Sequence, residues 1–316
     1  MVNFWEKLPK PIMALAPMAN VTDMAFRSII AKYGKPDVMW TEFVSADGLM
    51  SPGREILLND LKYSESERPI IAQLFTGHAD KMREAGALVR KLGFDGLDIN
   101  MGCPDRSVEK QGGGAGMIKD MKNALTVLEA AREGSGLPVS IKTRIGYNKI
   151  DINGWISFLL EQKLPALTVH LRTRKEMSDV PAHWELMPEI VKLRDKISPH
   201  TLIIGNGDVV SIEDARKKVK ETGCDGVMIG RGIFGNPRFF SATADISVPD
   251  KLNVLVEHAK LFEKLLGGVK NFAIMKKHFK AYVSGWDGAK ELRVKLMETE
   301  NASQVQKIIK DYISKL

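Results

Sequence analysis

Cys103 is the residue whose neighbours most clearly suggest reaction chemistry. It follows a predicted strand and stands between Gly102 and Pro104, which predicts a rigid, exposed loop. A thiol of ordinary pKa, about 8.5, is mostly protonated at neutral pH and can serve as a general acid. A lone cysteine is more often a small buried apolar residue, and this is our interpretation of Cys224, the other cysteine of the chain.

Lys142 interrupts an apolar strand pattern, where a lysine that points inward needs an anionic partner to offset its lost hydration. An anionic heterocycle is one such partner, and Gln73 could hydrogen-bond the same ring. In the alternative interpretation Lys142 points outward or pairs with a carboxylate such as Asp98, and Gln73 only caps a strand. The lysine taken alone favours neither interpretation.

Eight short apolar runs predict the strands that position these side chains. The predicted strands are Ile12–Leu15, Val38–Phe43, Ile70–Leu74, Gly96–Asn100, Val139–Thr143, Ala166–His170, Leu202–Gly205 and Gly226–Ile229. Apolar strands that alternate with helical segments indicate a parallel sheet covered by helices, and eight such units favour a closed (β/α)8 TIM barrel of the α/β class.

Polar residues follow the carboxyl ends of these strands, where barrels of this type carry their active sites. In chain order they are Pro17-Met18, Thr41-Glu42, Gln73, Asn100 with Cys103, Lys142 with Arg144, His170 with Arg172, Asn206-Gly207-Asp208 and Gly230-Arg231-Gly232. We therefore expect one binding site at the mouth of the barrel.

The glycine-rich loops after the seventh and eighth strands, Gly205–Asp208 and Gly230–Gly232, suit a phosphate. Glycine lets backbone N–H groups approach an anion, and Arg231 adds charge. A single glycine-rich loop would as readily indicate a tight turn. Two such loops, after the seventh and eighth strands, favour a phosphate-binding site. His170 is either a cofactor contact or a satisfied core residue. No second histidine or cysteine stands at ligand spacing, so we expect no metal site.

Composition bounds the class of protein. The chain has 316 residues, 44% of them apolar and 27% charged, and no apolar run approaches the roughly 20 residues of a membrane span. We expect a cytoplasmic protein with no membrane contact and no disulfide. The net charge of +7 suits a polyanionic partner but is also common in proteins that bind none.

The pattern changes after Pro237, where strand signals stop. Helical spacing follows in Leu252–Leu266, Asn271–Tyr282 and Ala302–Leu316. We place a boundary near Asp245, with a catalytic barrel in residues 1–245 and a helical domain in residues 246–316. The second part carries 13 Lys and Arg against 8 Asp and Glu, and so holds most of the positive excess.

Motifs along nearly the whole chain are similar to those of the tRNA-dihydrouridine synthase family. They are Ala14-Leu15-Ala16-Pro17-Met18 with Asp23 and Phe26-Arg27, Gln73-Leu74-Phe75-Thr76-Gly77, Asn100-Met101-Gly102-Cys103-Pro104, Lys142-Thr143-Arg144-Ile145-Gly146, His170-Leu171-Arg172-Thr173-Arg174, Gly205-Asn206-Gly207-Asp208 and Gly230-Arg231-Gly232. The cysteine and lysine motifs together make the resemblance specific.

The resemblance implies an FMN across the barrel mouth, with NADPH as electron donor. The backbone of Pro17, Met18 and Ala19 would line the flavin, and Gln73 and Lys142 would meet its polar edge. The phosphate side would be reached by His170, Asn206, Gly207, Asp208, Gly230 and Arg231. The reaction would reduce the C5–C6 bond of a uridine, with hydride from flavin N5 to C6 and a proton from Cys103 to C5.

The resemblance also implies tRNA as partner, held in part by the helical domain. Our candidates for substrate contacts at the mouth are Asn100, Arg144 and Arg172. Those in the helical domain are Lys276, Lys277, His278, Lys280 and Arg293. Such charges give affinity rather than sequence choice, and on their own could be a solvated helix face. The base must leave its stack to react.

Departures and rivals remain. Asp105-Arg106-Ser107-Val108 follows the cysteine where many members place a lysine, and Ala115-Gly116-Met117 also differs. Gly112–Gly116 predicts a flexible segment that could order on substrate binding or be passive. The rival functions are an FMN-dependent enone reductase and a non-catalytic tRNA-binding protein. A monomer is the default.

Overall fold

Eight parallel strands form the centre of the computed structural model, which describes residues 3–241 and 246–316. They are β1 (Ile12–Leu15), β2 (Met39–Ser45), β3 (Ile70–Phe75), β4 (Gly96–Met101), β5 (Val139–Arg144), β6 (Ala166–His170), β7 (Leu202–Asn206) and β8 (Gly226–Ile229). The strands from β2 to β8 pair in chain order, and β8 pairs with β1. A parallel bridge from Ala14 to Val38 joins β1 to the start of β2. The predicted barrel is confirmed.

Helices follow the strands and cover the outside of the barrel. They are α1 (Met24–Tyr33), α2 (Ala46–Leu49), α3 (Arg54–Leu57), α4 (Ala79–Lys91), α5 (Arg106–Lys110), α6 (Met121–Ser135), α7 (Ser157–Glu161), α8 (Met187–Ile197) and α9 (Ile212–Thr222). Local sequence sets several of their ends: the carboxylate of Asp23 accepts from Phe26 N at the start of α1, and Gly223 ends α9 in the left-handed region.

The barrel interior is closed at the amino ends of the strands. A 3-10 turn, Phe4–Lys7, precedes β1 and buries Trp5 against Trp40 of β2. Both indoles belong to an apolar cluster with Ile12, Ile71 and other inward-facing strand residues. Trp5 thus closes the barrel interior at the amino ends of the strands.

A helical region follows the barrel, as predicted. It contains α10 (Val248–Leu266), α11 (Met275–Tyr282), α12 (Ala289–Met297) and α13 (Ala302–Ile313). Its apolar core includes Phe262 and Phe279 and extends to Ala25 and Ile29 of α1, so the region is built against the barrel. The boundary expected near Asp245 falls in residues 242–245, outside the described residues, and the two-domain division stays a prediction.

Sequence reasoning missed α12. Its segment alternates charged and apolar residues, and Val294 is 58% exposed while Leu292 and Leu296 are buried. That pattern presents a narrow apolar stripe, which the charges on either side obscure. No helix in the described residues is long and apolar enough to cross a membrane.

Candidate active site

A cavity of about 460 Å³ lies at the carboxyl ends of the strands. Nine of the eleven residues predicted to bind a cofactor line it: Pro17, Met18, Lys142, His170, Asn206, Gly207, Asp208, Gly230 and Arg231. Ala19 and Gln73 are not part of its lining. A larger cavity of about 890 Å³ lies at the opposite end beside Trp5, and none of the predicted site residues lines it.

A chain of buried hydrogen bonds links β5, β4 and β3 beneath the barrel mouth. Asp98 is fully buried; its Oδ1 accepts from Ser140 Oγ at 2.5 Å and its Oδ2 from Gln73 Nε2 at 2.6 Å. Gln73 Oε1 then accepts from Asn100 Nδ2 at 3.0 Å. Because a carboxylate only accepts, Asp98 fixes which way both amides point.

Cys103 is positioned at the end of this chain. Asn100 Oδ1 accepts from the backbone N–H of Gly102 at 3.1 Å and of Cys103 at 2.9 Å. The Cys103 side chain is half-buried, whereas the sequence predicted an exposed loop. Burial raises the pKa of the Cys103 thiol, with a smaller lowering from its contact with the Asp105 backbone. The thiol therefore keeps its proton at neutral pH, as a general acid requires.

Lys142 lies beside Asn100 in the β4–β5 register and borders the cavity. In the described parts of the chain its ammonium makes no hydrogen bond and no ion pair. The alternative pairing with Asp98 is absent there, because Ser140 and Gln73 occupy that carboxylate. Burial, with a smaller contribution from Arg144, lowers the pKa of Lys142 to about 8, and Asp98 opposes this shift. Lys142 is thus a cation that faces the cavity.

His170, Arg172 and Asp208 form a second group of cavity residues, which lie at or after the ends of β6 and β7. Arg172 donates through Nη1 to His170 Nε2 at 3.0 Å, through Nε to Val180 O at 2.6 Å, and through Nη2 to Asp208. Since a guanidinium only donates, His170 Nε2 accepts and Nδ1 of the neutral ring holds the proton. Burial, with Lys142 and other nearby cations, holds the pKa of His170 well below its ordinary value.

Arg172, predicted to contact substrate, lines the same cavity as the residues predicted to bind the cofactor. Asp208, predicted on the phosphate side, contacts two arginines of the cavity. The hydrogen bond from Arg172 lowers the pKa of Asp208, and Arg231 Nη2 lies 3.6 Å from Asp208 Oδ1. Arg231 is 64% exposed and remains available to an anion.

Gly207 occupies a position that other residues would strain. Its φ is +126°, and an added Cβ would lie 2.7 Å from Ala182 Cβ and 3.2 Å from His170 Cδ2. Trp184 Nε1 donates to the Gly207 carbonyl at 2.8 Å, and Asn206 Nδ2 donates to Met228 O at 2.8 Å. The loop after β7 is thereby fixed with its backbone at the cavity wall.

Arg144, another predicted substrate contact, is buried and bonded to protein carbonyls. Nε donates to Gly102 O at 2.8 Å, and Nη1 donates to Thr173 O at 2.9 Å and to Met177 O at 2.8 Å. Burial lowers the pKa of Arg144 to about 10. In this arrangement it joins the Cys103 loop to the loop after β6.

The glycine-rich segment 112–116 is packed against the cysteine loop, which contradicts its prediction as a flexible loop. Gly113, Gly114 and Ala115 are buried, and Ala115 N donates to Cys103 O at 2.9 Å. An added Cβ on Gly114 would lie 2.6 Å from the same carbonyl. The glycines serve close approach of two backbones, a requirement that composition alone does not distinguish from flexibility.

The departure at Asp105-Arg106-Ser107 begins a short helix. The Asp105 carboxylate accepts from Ser107 N at 2.7 Å and caps α5, leaving Arg106 exposed beside the cysteine loop. On the inner side of α5, Glu109 pairs with Arg174 through two contacts of 2.9 and 2.8 Å. Arg174 Nη2 also donates to Pro104 O at 3.3 Å.

The basic residues predicted in the helical region have different settings. Lys276 is partly exposed and Lys280 exposed, whereas Lys277 Nζ donates to Asn20 O at 2.7 Å and Arg293 Nη1 to Val283 O at 2.7 Å. The prediction for His278 is wrong. It is 1% exposed and packs on Phe26 and His258, so it cannot reach a nucleic acid.

Sequence reasoning also missed the residues that support the site. Asp98 was considered only as a partner of Lys142, although a carboxylate inside an apolar strand is itself a signal of a buried network. Glu109 carried no signal, because a glutamate on a short helix is usually solvated.

The lining of the cavity fits a particular kind of ligand. The lining contains three cations, Lys142, Arg172 and Arg231, and one carboxylate, Asp208. The His170 ring is neutral. Positive charge thus comes from β5, from the loop after β6 and from the loop after β8, where glycine backbone also lines the cavity. A ligand with an anionic ring at one end and a phosphate at the other matches this distribution, and the volume is typical of a ligand site.

Comparisons with known proteins agree with this geometry. The sequence model of the family described as dihydrouridine synthase matches residues 14–315. A probable tRNA-dihydrouridine synthase of Staphylococcus aureus strain MRSA252 is 40% identical over 314 residues, which is 98% of this chain and 95% of the relative. Probable tRNA-dihydrouridine synthase 2 of Bacillus subtilis strain 168 is also 40% identical, over 98% of this chain and 96% of the relative.

Solved structures give the fold. Morphinone reductase in complex with tetrahydroNAD superposes with a TM-score of 0.51 at 13% identity, over 77% of this chain and 89% of that one. The old yellow enzyme homologue from Zymomonas mobilis gives 0.51 at 15% identity, over 74% and 89%. At such identities the likeness concerns the barrel alone.

Proposed function

The chain belongs to the dihydrouridine synthase family, and on this premise we propose that it reduces the C5–C6 bond of a uridine in tRNA with FMN as its cofactor. The observation that carries the proposal is the cavity at the carboxyl ends of the strands, which is lined by three cations, with the Cys103 thiol near enough to Lys142 for their charges to interact. NADPH is the proposed electron donor.

We assign FMN to this cavity because its lining suits both ends of that molecule. Lys142 would hold the pyrimidine edge, and the backbone of Pro17 and Met18 would line the ring. Gln73 and Ala19 do not line the cavity, so we propose that Gln73 acts through Asn100, to which its amide is bonded, and that Ala19 supports the loop of Pro17 and Met18. The phosphate would be held by His170, Asn206, Gly207, Gly230 and Arg231, which lie at or after the ends of β6, β7 and β8, with Asp208 orienting Arg172 and Arg231. When bound and reduced, FMN supplies the hydride that C6 of the uridine accepts.

Cys103 is the proposed proton donor to C5. Its raised pKa keeps hydrogen on the sulfur, and the bonds from Asn100 to the Gly102 and Cys103 backbone hold the loop in one position. After the transfer the thiolate is reprotonated from solvent, so the net change is addition of one hydride and one proton to the base. Arg144 keeps the loop in place and stabilises the transient thiolate by its charge.

The proposed substrate is a tRNA whose target base has left its stack. Asn100 is the proposed contact for the base. Lys276 and Lys277 of α11 and Arg293 of α12, with the exposed Lys280, are proposed to meet the phosphate backbone. We propose further that residues 1–245 form the catalytic domain and residues 246–316 the RNA-binding domain of a cytoplasmic monomer.

Turnover of the purified protein tests this function against its nearest rival. We expect a yellow protein that oxidises NADPH in the presence of unmodified tRNA and not in the presence of a small enone such as 2-cyclohexenone. Reduction of the enone without dihydrouridine formation would assign the protein to enone reductases. A colourless protein that binds tRNA would make it a non-catalytic binder.

A further inference from the structure

Buried charges connect the helical region to the loop that borders the cavity. Lys270, which lies between α10 and α11, places Nζ 2.5 Å from Glu42 Oε2 and 2.7 Å from Asp60 Oδ1. The side chain of Lys270 is 12% exposed and that of Glu42 is 5% exposed. None of the steps proposed above uses these three groups.

The same cluster holds Asn20. The second oxygen of Glu42 accepts from the backbone N–H of Asn20, and Lys277 of α11 donates to the Asn20 carbonyl at 2.7 Å. Asn20 has a φ of +54°, in the left-handed region that residues other than glycine seldom adopt. Its two backbone polar groups are therefore fixed by side chains from β2 and from the helical region.

Asn20 belongs to the loop that lines the cavity. Pro17 and Met18 are lining residues, and Met18 is tied to Thr22 by a bond from its own N–H at 2.9 Å and by one to its carbonyl at 3.0 Å. The loop is thus a closed turn between Met18 and Thr22 that contains Asn20. Displacing Asn20 must move Met18 as well.

Lys270 is the member on which the cluster depends. Asp60 is close enough to raise the cost of charging Glu42, and both carboxyls approach the same ammonium. Burial raises the pKa of Glu42 to about 7, while Lys270 opposes the shift. Burial also disfavours the charge on Lys270, but Glu42 and Asp60 outweigh it and raise its pKa. Without the lysine the buried carboxyl of Glu42 and the partly buried carboxyl of Asp60 would lose their shared cation.

We propose that Glu42, Lys270 and Lys277 are positioning residues for the loop Pro17–Asn20, so that the helical region completes the flavin site in addition to contacting RNA. This inference rests on the proposed function for the identity of the flavin. A cluster that served only to attach the helices to the barrel would affect stability and leave flavin affinity unchanged.

The dissociation constant of FMN, measured by quenching of flavin fluorescence with no tRNA present, tests the proposal. We expect Lys270→Met to raise it about tenfold or more, and Lys270→Arg, which can bridge both carboxylates, to recover most of the loss. Lys264→Met is the matched control, because Lys264 is an exposed lysine near the end of α10, and it should leave the constant within about twofold.

Lys277→Met covers the case in which Lys270→Met fails to fold. Lys277 is exposed and touches the loop only through the Asn20 carbonyl, so we expect an unchanged melting temperature and a rise of about threefold in the FMN dissociation constant. Unchanged FMN affinity in the folded variants would overturn the positioning role. A wild-type protein that binds no FMN would instead overturn the proposed function.

Discussion

Lys142 on β5 and Cys103 in the loop after β4 are ionisable side chains, and burial favours the neutral form of each. Burial lowers the pKa of the lysine to about 8 and raises that of the thiol. At neutral pH the lysine is still charged and the thiol still protonated. Each is therefore in the state that its proposed role needs, and the lysine is the first of the two to change as the pH rises.

Flavin affinity should depend on this lysine. The cationic form is present below its pKa of about 8 and is lost above it, so we expect the FMN dissociation constant to rise between about pH 7 and pH 9. Lys142→Met should bind FMN more weakly at pH 7 and show no such rise. A wild-type affinity that stays constant over this interval would show that Lys142 does not hold the flavin.

Single residues were also where sequence reasoning succeeded most and failed most sharply. The strand-end residues were identified because barrel topology forces strand ends to one rim, whatever the contacts between them. His278 was assigned to a charged surface because its neighbours are lysines, yet its position on α11 turns it towards Phe26. Which side of a short helix faces the core depends on packing that the local sequence does not state.

At the scale of elements, α5 is held against the loop after β6 by the pair of Glu109 and Arg174. The pair is two-pronged, and the Glu109 and Arg174 side chains are 14% and 23% exposed. Arg174 also reaches the carbonyl of Pro104, next to the cysteine. The pair thus fixes the helix that follows Cys103 rather than the cavity itself.

Glu109→Gln should therefore slow turnover without weakening the flavin. We expect about a tenfold loss in kcat with an FMN dissociation constant near that of wild type, because the cysteine loop loses its outer support. Arg83 and Glu133 form an exposed pair on α4 and α6 that serves as control, and Glu133→Gln should change neither quantity. Equal losses in kcat and flavin affinity would point to a general disturbance of the barrel mouth.

The elements themselves were largely predictable. β1, β6 and β8 have the predicted bounds, and β3, β4, β5 and β7 each extend one residue further at the carboxyl end. β2 begins one residue later and ends two residues later than predicted. Buried parallel strands are continuous apolar runs, which makes them readable. The short helices α2, α3 and α5 were not predicted, because helices of four or five residues are set by capping and tertiary contacts rather than by periodicity.

At the scale of the whole molecule, an aromatic cluster joins the helical region to the barrel. His258 of α10 lies 4.7 Å from His278 and 5.8 Å from Phe26 of α1, measured between ring centroids. Burial lowers the pKa of His258 to about 3 and leaves both of its nitrogens without partners in the described residues. The junction therefore requires neutral imidazoles.

Acid should weaken this junction. In the unfolded chain a histidine takes up a proton near its ordinary pKa of about 6.5, whereas folded His258 does so only near pH 3. The contribution of neutral His258 to the free energy of unfolding is therefore complete above about pH 6.5 and falls as the pH drops towards 3. We expect a loss of roughly 2 kcal/mol by about pH 5 in urea titrations. His258→Phe should reduce that loss, and a change at the exposed His200 should not. An identical pH dependence in wild type and His258→Phe would refute this account.

The central claim is that this chain reduces a uridine in tRNA and that Cys103 gives the proton. The most direct measurement is mass analysis of nucleosides from a tRNA transcript after reaction with the FMN-loaded, NADPH-reduced protein. We predict dihydrouridine with the wild type and with Cys224→Ala, and a loss of about a hundredfold or more in its rate of formation with Cys103→Ala, which should remain yellow. Unaltered uridine with a fully flavin-loaded wild type, or wild-type rates with Cys103→Ala, would contradict the account.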